Sequence, residues 1–243
     1  MIAVIGGTGL SDPALLGSHE IKSILTPYAD QEVQLYLVKR GSVPVIFLPR
    51  HGREHSCAPH SINYRANIWA LREIGVTKIL AVNAVGGINE NMGPGQIALP
   101  KQIIDYSWGR EHSFSQHGKV LHIDFTNPYS EPLRASLLAA ASALGVSVWP
   151  HGVYACTQGP RLETAAEVQR IRRDGGDMIG MTGMPEAALA RELDLDYASI
   201  AVSVNWAAGL GDEEITLESI VKVLNAAMEK VIGLIDAVVA EAA

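Results

Sequence analysis

Apolar residues recur along this chain in two rhythms. Ile2-Ala-Val-Ile5, Val43-Pro-Val-Ile-Phe-Leu48, Lys78-Ile-Leu-Ala-Val82 and Tyr197-Ala-Ser-Ile-Ala-Val-Ser-Val-Asn205 are short runs of β-branched and small residues with no polar alternation. That pattern suits strands covered on both faces, as in a parallel sheet between helix layers. Gln31 to Lys39 alternates instead and, with Val43 to Leu48, predicts a hairpin turning at Gly41. Further strands are expected at Ile97 to Leu99, Gln102 to Asp105, Val148 to Thr157 and Asp177 to Gly180. The second rhythm is helical. It predicts helices over Asn63 to Ile74, closed by Gly75, over Glu131 to Leu144, closed by Gly145, and over Glu163 to Arg173 and Glu186 to Leu193. A last long one is capped by Thr216 and carries Leu217, Ile220, Leu224, Met228, Val231, Ile235 and Val239 on an apolar stripe. Between Tyr106 and Tyr129 both rhythms fade into a polar loop, of a length that is usually functional or mobile. The sum is an α/β protein, a mixed β-sheet flanked by helices. No linker, repeat or low-complexity stretch divides it, so one domain over residues 1–243 is expected.

Composition narrows the partners. With 48% hydrophobic and 19% charged residues the chain reads as globular, and no apolar run approaches membrane-spanning length. A net charge of −7 argues against a nucleic acid or an anionic membrane as partner, because both demand an extended basic surface. A small anion held by a few local donors stays possible. Met1-Ile-Ala-Val-Ile5 has neither a basic leader segment nor a long apolar stretch behind it, so the cytoplasm is the expected location. Cys57 and Cys156 make neither a disulfide framework nor a metal quartet and are expected to be inert. His51, His55 and His60 invite a metal reading, but their spacing follows no zinc pattern and no acid or thiol completes the set, so none is expected.

Chemistry gathers where strands end. Ile2 to Ile5 runs into Gly6-Gly-Thr-Gly9, a turn whose backbone can offer N–H groups to an anion, although Asp12 stands where a dinucleotide fingerprint needs its third glycine. The second hairpin strand delivers Arg50-His51, the third buried run delivers Asn83-Ala84, Met178 to Gly180 leads to Met181-Thr182, and the last strand stops at Asn205. Hydroxyls, an arginine and a histidine on separate strand ends are what a phosphate site requires, since the anion needs several converging donors and a fixed positive charge. In open α/β sheets, ligands bind beyond the carboxyl ends of strands. Asn205 taken alone reads more readily as a turn asparagine after a core strand than as a ligand reader.

Gly6-Gly-Thr-Gly-Leu10, Arg50-His-Gly-Arg-Glu-His55, Asn63-Tyr-Arg-Ala-Asn-Ile-Trp-Ala-Leu71, Gly180-Met-Thr-Gly-Met-Pro-Glu-Ala187 and Tyr197-Ala-Ser-Ile-Ala201 closely resemble the methylthioadenosine phosphorylase branch of the trimeric purine nucleoside phosphorylase family. The resemblance covers nearly the whole chain. It implies phosphorolysis, in which phosphate attacks the anomeric carbon of a purine nucleoside and releases the base, and a homotrimer with sites near subunit interfaces. By motif it implies that Thr8, Arg50, His51, Ala84 (through its N–H) and Thr182 hold phosphate, that Met181 lies under the ribose, and that Leu217 and Ile220 line a 5′-methylthio pocket reached by His122 of the same or a neighbouring subunit. No cofactor is implied beyond phosphate as co-substrate. Fixing phosphate beside a sugar that becomes cation-like as the base leaves would supply both orientation and charge complementarity.

Base choice is where the sequence departs from that branch. Relatives preferring 6-aminopurines end the last strand with Asp-x-Asp; here those positions are Asn205 and Ala207. Gly159-Pro-Arg-Leu-Glu-Thr164 is similar instead to the Gly-Pro-x-Phe-Glu-Thr of 6-oxopurine enzymes. A Glu163 carboxylate can accept from N1–H of hypoxanthine, while the Asn205 amide donates to O6 and accepts from a protonated N7. Against adenine both would be mispaired, at about 1–3 kcal/mol for each buried group. The resemblance with these departures implies 5′-methylthioinosine as substrate and Glu163 and Asn205 as the residues acting on the base. Methylthioadenosine, inosine or guanosine phosphorolysis, and a nucleoside-binding protein without catalysis, are the alternatives. Glu163 at a helix start also fits plain complementarity to the helix dipole.

Overall fold

The computed structural model describes residues 1–116, 118–212 and 214–241. In chain order the strands are β1 (Ile2–Gly6), β2 (His19–Thr26), β3 (Ala29–Arg40), β4 (Val43–Pro49), β5 (Lys78–Gly87), β6 (Ile97–Ala98), β7 (Gln102–Asp105), β8 (Val148–Trp149), β9 (Val153–Cys156), β10 (Met178–Gly180) and β11 (Asp196–Trp206). The helices are α1 (Tyr64–Glu73), α2 (Glu131–Leu144), α3 (Ala165–Arg173), α4 (Glu186–Glu192) and α5 (Leu217–Ala240). All the strands join one mixed sheet, running β2-β3-β4-β1-β5-β10-β9-β7, with β11 on β5 and β6, and β8 on β6. The α/β class with a mixed sheet and flanking helices is therefore as expected, and so is the hairpin around Gly41. None of the helices is long and apolar enough to cross a membrane, among the described residues.

The buried runs form the middle of the sheet because alternate side chains feed two helix layers. Val4, Leu80, Ile200 and Val202 pack with Leu137 of α2 and with Leu224, Val231 and Ile235 of α5. Their neighbours Ala3, Ile5, Ile79 and Ala201 pack on the other face with Ile68 and Leu71 of α1 and Leu189 of α4. Local signals set the helix ends: the Asn63 and Ser130 side chains cap α1 and α2, Gly145 closes α2 at φ +63°, and Thr164 with Glu167 forms a capping box on α3. Glu163 thus lies before the cap, not in the helix, and the dipole-side acid is Glu167.

Three differences from the expected elements have physical causes. The strand expected over Val148 to Thr157 is broken into β8 and β9, because Pro150 cannot donate to a ladder and Gly152 turns with φ +117°. Strand β2, not foreseen, is an edge strand whose charged and apolar residues follow no clean alternation. Strand β5 does not stop at Val82 but runs on through Asn83-Ala-Val-Gly-Gly87, exchanging partners on the way.

That exchange positions the site. One edge of β5 carries β11 along its full length. The other pairs with parallel β1 only over Lys78–Ala81, and then with antiparallel β10 at Gly86 and Gly87. Strands β1 and β10 therefore meet head to head along this edge. Their carboxyl ends, with Thr8 just beyond one and Thr182 just beyond the other, converge beside Asn83 and Ala84. A gap of this kind, where a sheet switches direction, is where ligands enter α/β folds.

Candidate active site

A cleft of about 440 Å³ opens at this gap. Its floor is made by Thr8, Ala84, Gly180, Met181 and Thr182, one side by His51 and the segment His55 to Pro59, and the far end by Glu163, Val204, Asn205, Ala207, Leu217 and Ile220. The sheet can close so tightly here because two positions leave no space for a side chain. A Cβ on Gly6 would stand 1.9 Å from the Leu10 carbonyl oxygen, and one on Gly180 would stand 2.0 Å from the Tyr154 hydroxyl.

At the floor, polar groups are held from behind. Asn83, buried, donates from Nδ2 to Thr182 Oγ1 at 2.9 Å and accepts from Ser199 Oγ at 2.8 Å. Having accepted that bond, the Thr182 hydroxyl keeps its own proton to give into the cleft. His51 is 6% exposed, and its Nδ1 is 2.8 Å from the Cys57 carbonyl. Burial first, and then the charge of Arg50, push its imidazole down to about 4, so the ring is neutral at neutral pH. His55, held at φ +52°, lies 4.3 Å from the His51 ring and reaches Thr8 Oγ1 at 3.5 Å.

Arg50 is not on the cleft wall. Its guanidinium is 2% exposed, paired in bidentate fashion to Glu186 at 2.6 and 2.8 Å, and donates from Nη1 to the Val82 carbonyl at 2.9 Å. Tyr197 Oη donates to the same carboxylate at 2.8 Å. Nη1 would lie 2.8 Å from a Cβ on Gly7, so this buried charge sits directly behind the glycine turn. Burial opposes the guanidinium charge, but Glu186 more than offsets it and the group stays charged. The positive charge expected at the anion site therefore lies beneath the turn, with its guanidinium bonded to Glu186 and the Val82 carbonyl.

At the far end the groups are half-buried and held locally. Glu163 Oε1 accepts from Thr157 Oγ1 at 2.6 Å, which fixes the carboxylate and leaves Oε2 to accept from a ligand. Asn205 is not a turn residue: it lies within β11, where the register against β5 shifts between Ser203 and Asn205. Such an irregularity re-aims a side chain. Its Nδ2 donates to the Trp206 carbonyl at 2.6 Å, leaving the second N–H and Oδ1 for a ligand. Ile220 is half-buried on the wall, and Leu217 lies at the mouth, 71% exposed. His122, expected at the methylthio pocket, is exposed and away from this chain's cleft.

The wall from His55 to Pro59, with Ile215 and Ala208, escaped the sequence reading. Cys57 belongs to it and is exposed, whereas the Cys156 thiol is buried and pushed up to about 12 by that burial. Arg110 was missed too. Buried within the long loop, it donates to the carbonyls of Thr157 and Gln158 at 3.1 and 2.9 Å and so ties the loop to the segment that carries Glu163. A lone arginine in a patternless stretch gives no sequence signal for this. Among the described residues, no three His, Cys, Asp or Glu gather closely enough to hold a metal ion.

A gap between opposed strand ends, with hydroxyls and a buried charge at one end and an amide and a carboxylate at the other, can take a small anion at the first end and a polar ligand with both donors and acceptors at the second. The chain belongs to the phosphorylase superfamily, whose family model matches residues 1–240. It is 50% identical over 231 residues, 94% of either chain, to a probable S-methyl-5′-thioinosine phosphorylase of Pseudomonas syringae. A 6-oxopurine nucleoside phosphorylase of Pyrococcus furiosus is 44% identical over 241 residues, covering 96% of this chain and 90% of its own. Among solved structures, methylthioadenosine phosphorylase from Schistosoma mansoni in complex with adenine matches with a TM-score of 0.92 at 31% identity, over 98% of this chain and 90% of that one. The enzyme is thus of the purine nucleoside phosphorylase type.

Proposed function

We propose that the chain catalyses phosphorolysis of 5′-methylthioinosine to hypoxanthine and 5-methylthioribose 1-phosphate. The observation that carries this reading is the pair at the far end of the cleft, Glu163 with one free carboxylate oxygen and Asn205 with one free N–H and a free carbonyl. That donor and acceptor set complements a 6-oxopurine and mispairs with adenine. The names of the relatives from Pseudomonas syringae and Pyrococcus furiosus support the same base class. In this reading phosphate is held by Thr8, His51, Thr182 and the Ala84 N–H over the buried charge of Arg50, and Met181 packs under the ribose. The apolar wall of Ile215, Leu217 and Ile220 takes the methylthio group. An apolar wall rejects a 5′-hydroxyl weakly, so inosine is a poorer substrate and not a dead one. The far end then stabilises the departing base as charge moves onto it.

No further cofactor takes part. The working form is a cytoplasmic homotrimer, in which the partner's copy of His122 reaches the open 5′ end. Phosphate-dependent turnover of methylthioinosine, methylthioadenosine and inosine, measured side by side, is the test. We expect methylthioinosine to have the highest kcat/KM. Methylthioadenosine cleaved equally well would refute the base assignment, and turnover without phosphate would refute phosphorolysis.

A further inference from the structure

We propose that His51 holds the anion through a hydrogen bond that the anion donates, so that this site selects an oxyanion carrying its own O–H, hydrogen phosphate, over a protonless oxyanion of equal charge. The inference rests on the phosphorolytic reading and deepens it.

The argument starts from the tautomer. A carbonyl oxygen can only accept, so at 2.8 Å from the Cys57 carbonyl the His51 Nδ1 must carry the proton. A neutral ring protonated there has a bare lone pair at Nε2. Among the described residues no donor pairs with Nε2, and His51 lines the cleft. The ring's neutrality follows from its neighbours. The titratable groups that act on it are Arg50, whose charge disfavours a second cation, and His55, whose ring lies tilted at 4.3 Å; the Cys57 backbone carbonyl acts the other way, more weakly than burial and Arg50. The Glu186 carboxylate, which would favour an imidazolium, is committed to Arg50 and Tyr197.

The rest of the floor has the opposite polarity. The Thr182 proton is free because Asn83 already donates to its oxygen, and Thr8 brings a second hydroxyl. The floor therefore offers donors at several points, whereas the bare Nε2 of His51 can only accept. Hydrogen phosphate matches that set, with one O–H and three oxygens that only accept. Its proton stays on phosphate, shared with Nε2. The oxygen that bears it is the poorest nucleophile, so parking it on His51 leaves unprotonated oxygens to face the sugar carbon.

The probes are phosphate and arsenate, which keep an O–H near neutral pH, against sulfate and monofluorophosphate, which do not. We expect calorimetric dissociation constants for sulfate and monofluorophosphate to be about tenfold or more weaker than for phosphate, because a buried acceptor would face another acceptor. Arsenate should replace phosphate in turnover. In His51→Gln, whose amide can donate or accept, the discrimination should shrink to within about threefold. Above neutral pH, titrations in buffers of different ionisation enthalpy should show no net proton uptake when phosphate binds. Sulfate binding as tightly as phosphate to the wild-type protein would overturn the proposal, as would uptake of about one proton, the mark of an imidazolium donor. Either result with turnover still dependent on phosphate leaves phosphorolysis standing. Turnover that ignores phosphate removes both.

Discussion

The two ends of the cleft are built in different ways. At the floor, Thr182, the glycine turn and Arg50 are backed by buried partners on other strands or helices: Thr182 by Asn83 and Ser199, the glycine turn by Arg50, and Arg50 by Glu186 of α4 and Tyr197 of β11. At the far end, Glu163 leans on Thr157 six residues away and Asn205 on its own neighbour Trp206. The first arrangement cannot change without disturbing the core. The second can change with one side chain, because little else depends on it. Such a division suits the proposed reading, in which the displacement is supported by the sheet and the choice of base rests on locally held side chains.

The same substitution at each end should break the symmetry most visibly. Glu186→Gln removes the counter-charge of a guanidinium that is 2% exposed, and disrupting a buried pair from one side costs about 3–5 kcal/mol. Glu163→Gln removes a half-buried carboxylate whose one hydrogen-bond partner among the described residues is a threonine hydroxyl, and should cost no more than about 1 kcal/mol. Urea unfolding of the two variants measures the difference. Equal midpoints would end the division into framework and reader. Turnover should separate them in the other direction, since Glu163→Gln keeps its fold and loses base discrimination.

The same division decides how much the sequence revealed. Strands β1, β5 and β11 were legible because burial on both faces leaves uninterrupted β-branched runs, and α1, α2 and α5 because their N-caps, and the glycines that follow α1 and α2, are local signals. Thr8, Thr182 and Asn205 were legible as ends of such runs. What the sequence hid depends on contacts distant in the chain. Glu186 is 136 residues from Arg50, and nothing in Pro185-Glu186-Ala187 announces a counter-ion in place of an ordinary first-turn acid. The wall from His55 to Pro59 has no periodicity, because it is shaped by the cleft it borders. The extension of β5 through Gly87 was hidden as well, since paired glycines read as a turn unless both neighbouring strands are known.

Asn205→Asp tests the reader with a smaller effect. An Asp carboxylate can accept from the N6 amino group of adenine but cannot donate to O6. The ratio of kcat/KM for methylthioinosine over methylthioadenosine should fall by roughly tenfold. Because the substitution also sets a carboxylate oxygen against the Trp206 carbonyl, a modest drop in melting temperature should accompany it. An unchanged ratio with activity intact would take Asn205 out of the base site and leave Glu163 as the sole reader.

The smallest effect is expected at the mouth. Leu217 is the first residue of α5 after the Thr216 cap and is 71% exposed in the single chain. Leu217→Ala keeps a good helix former at that position, so stability should hold within about 0.5 kcal/mol. The preference for a methylthio over a hydroxyl nucleoside should fall by less than about tenfold, the scale of an apolar contact shared with solvent. Steady-state rates on methylthioinosine and inosine measure it. No change would remove Leu217 from the pocket. A loss near a hundredfold would mean that the side chain is covered when the enzyme works, which in the proposed trimer is the task of the neighbouring subunit. The two halves of the comparison would then differ in a further respect, with the floor complete within one chain and the mouth completed by another.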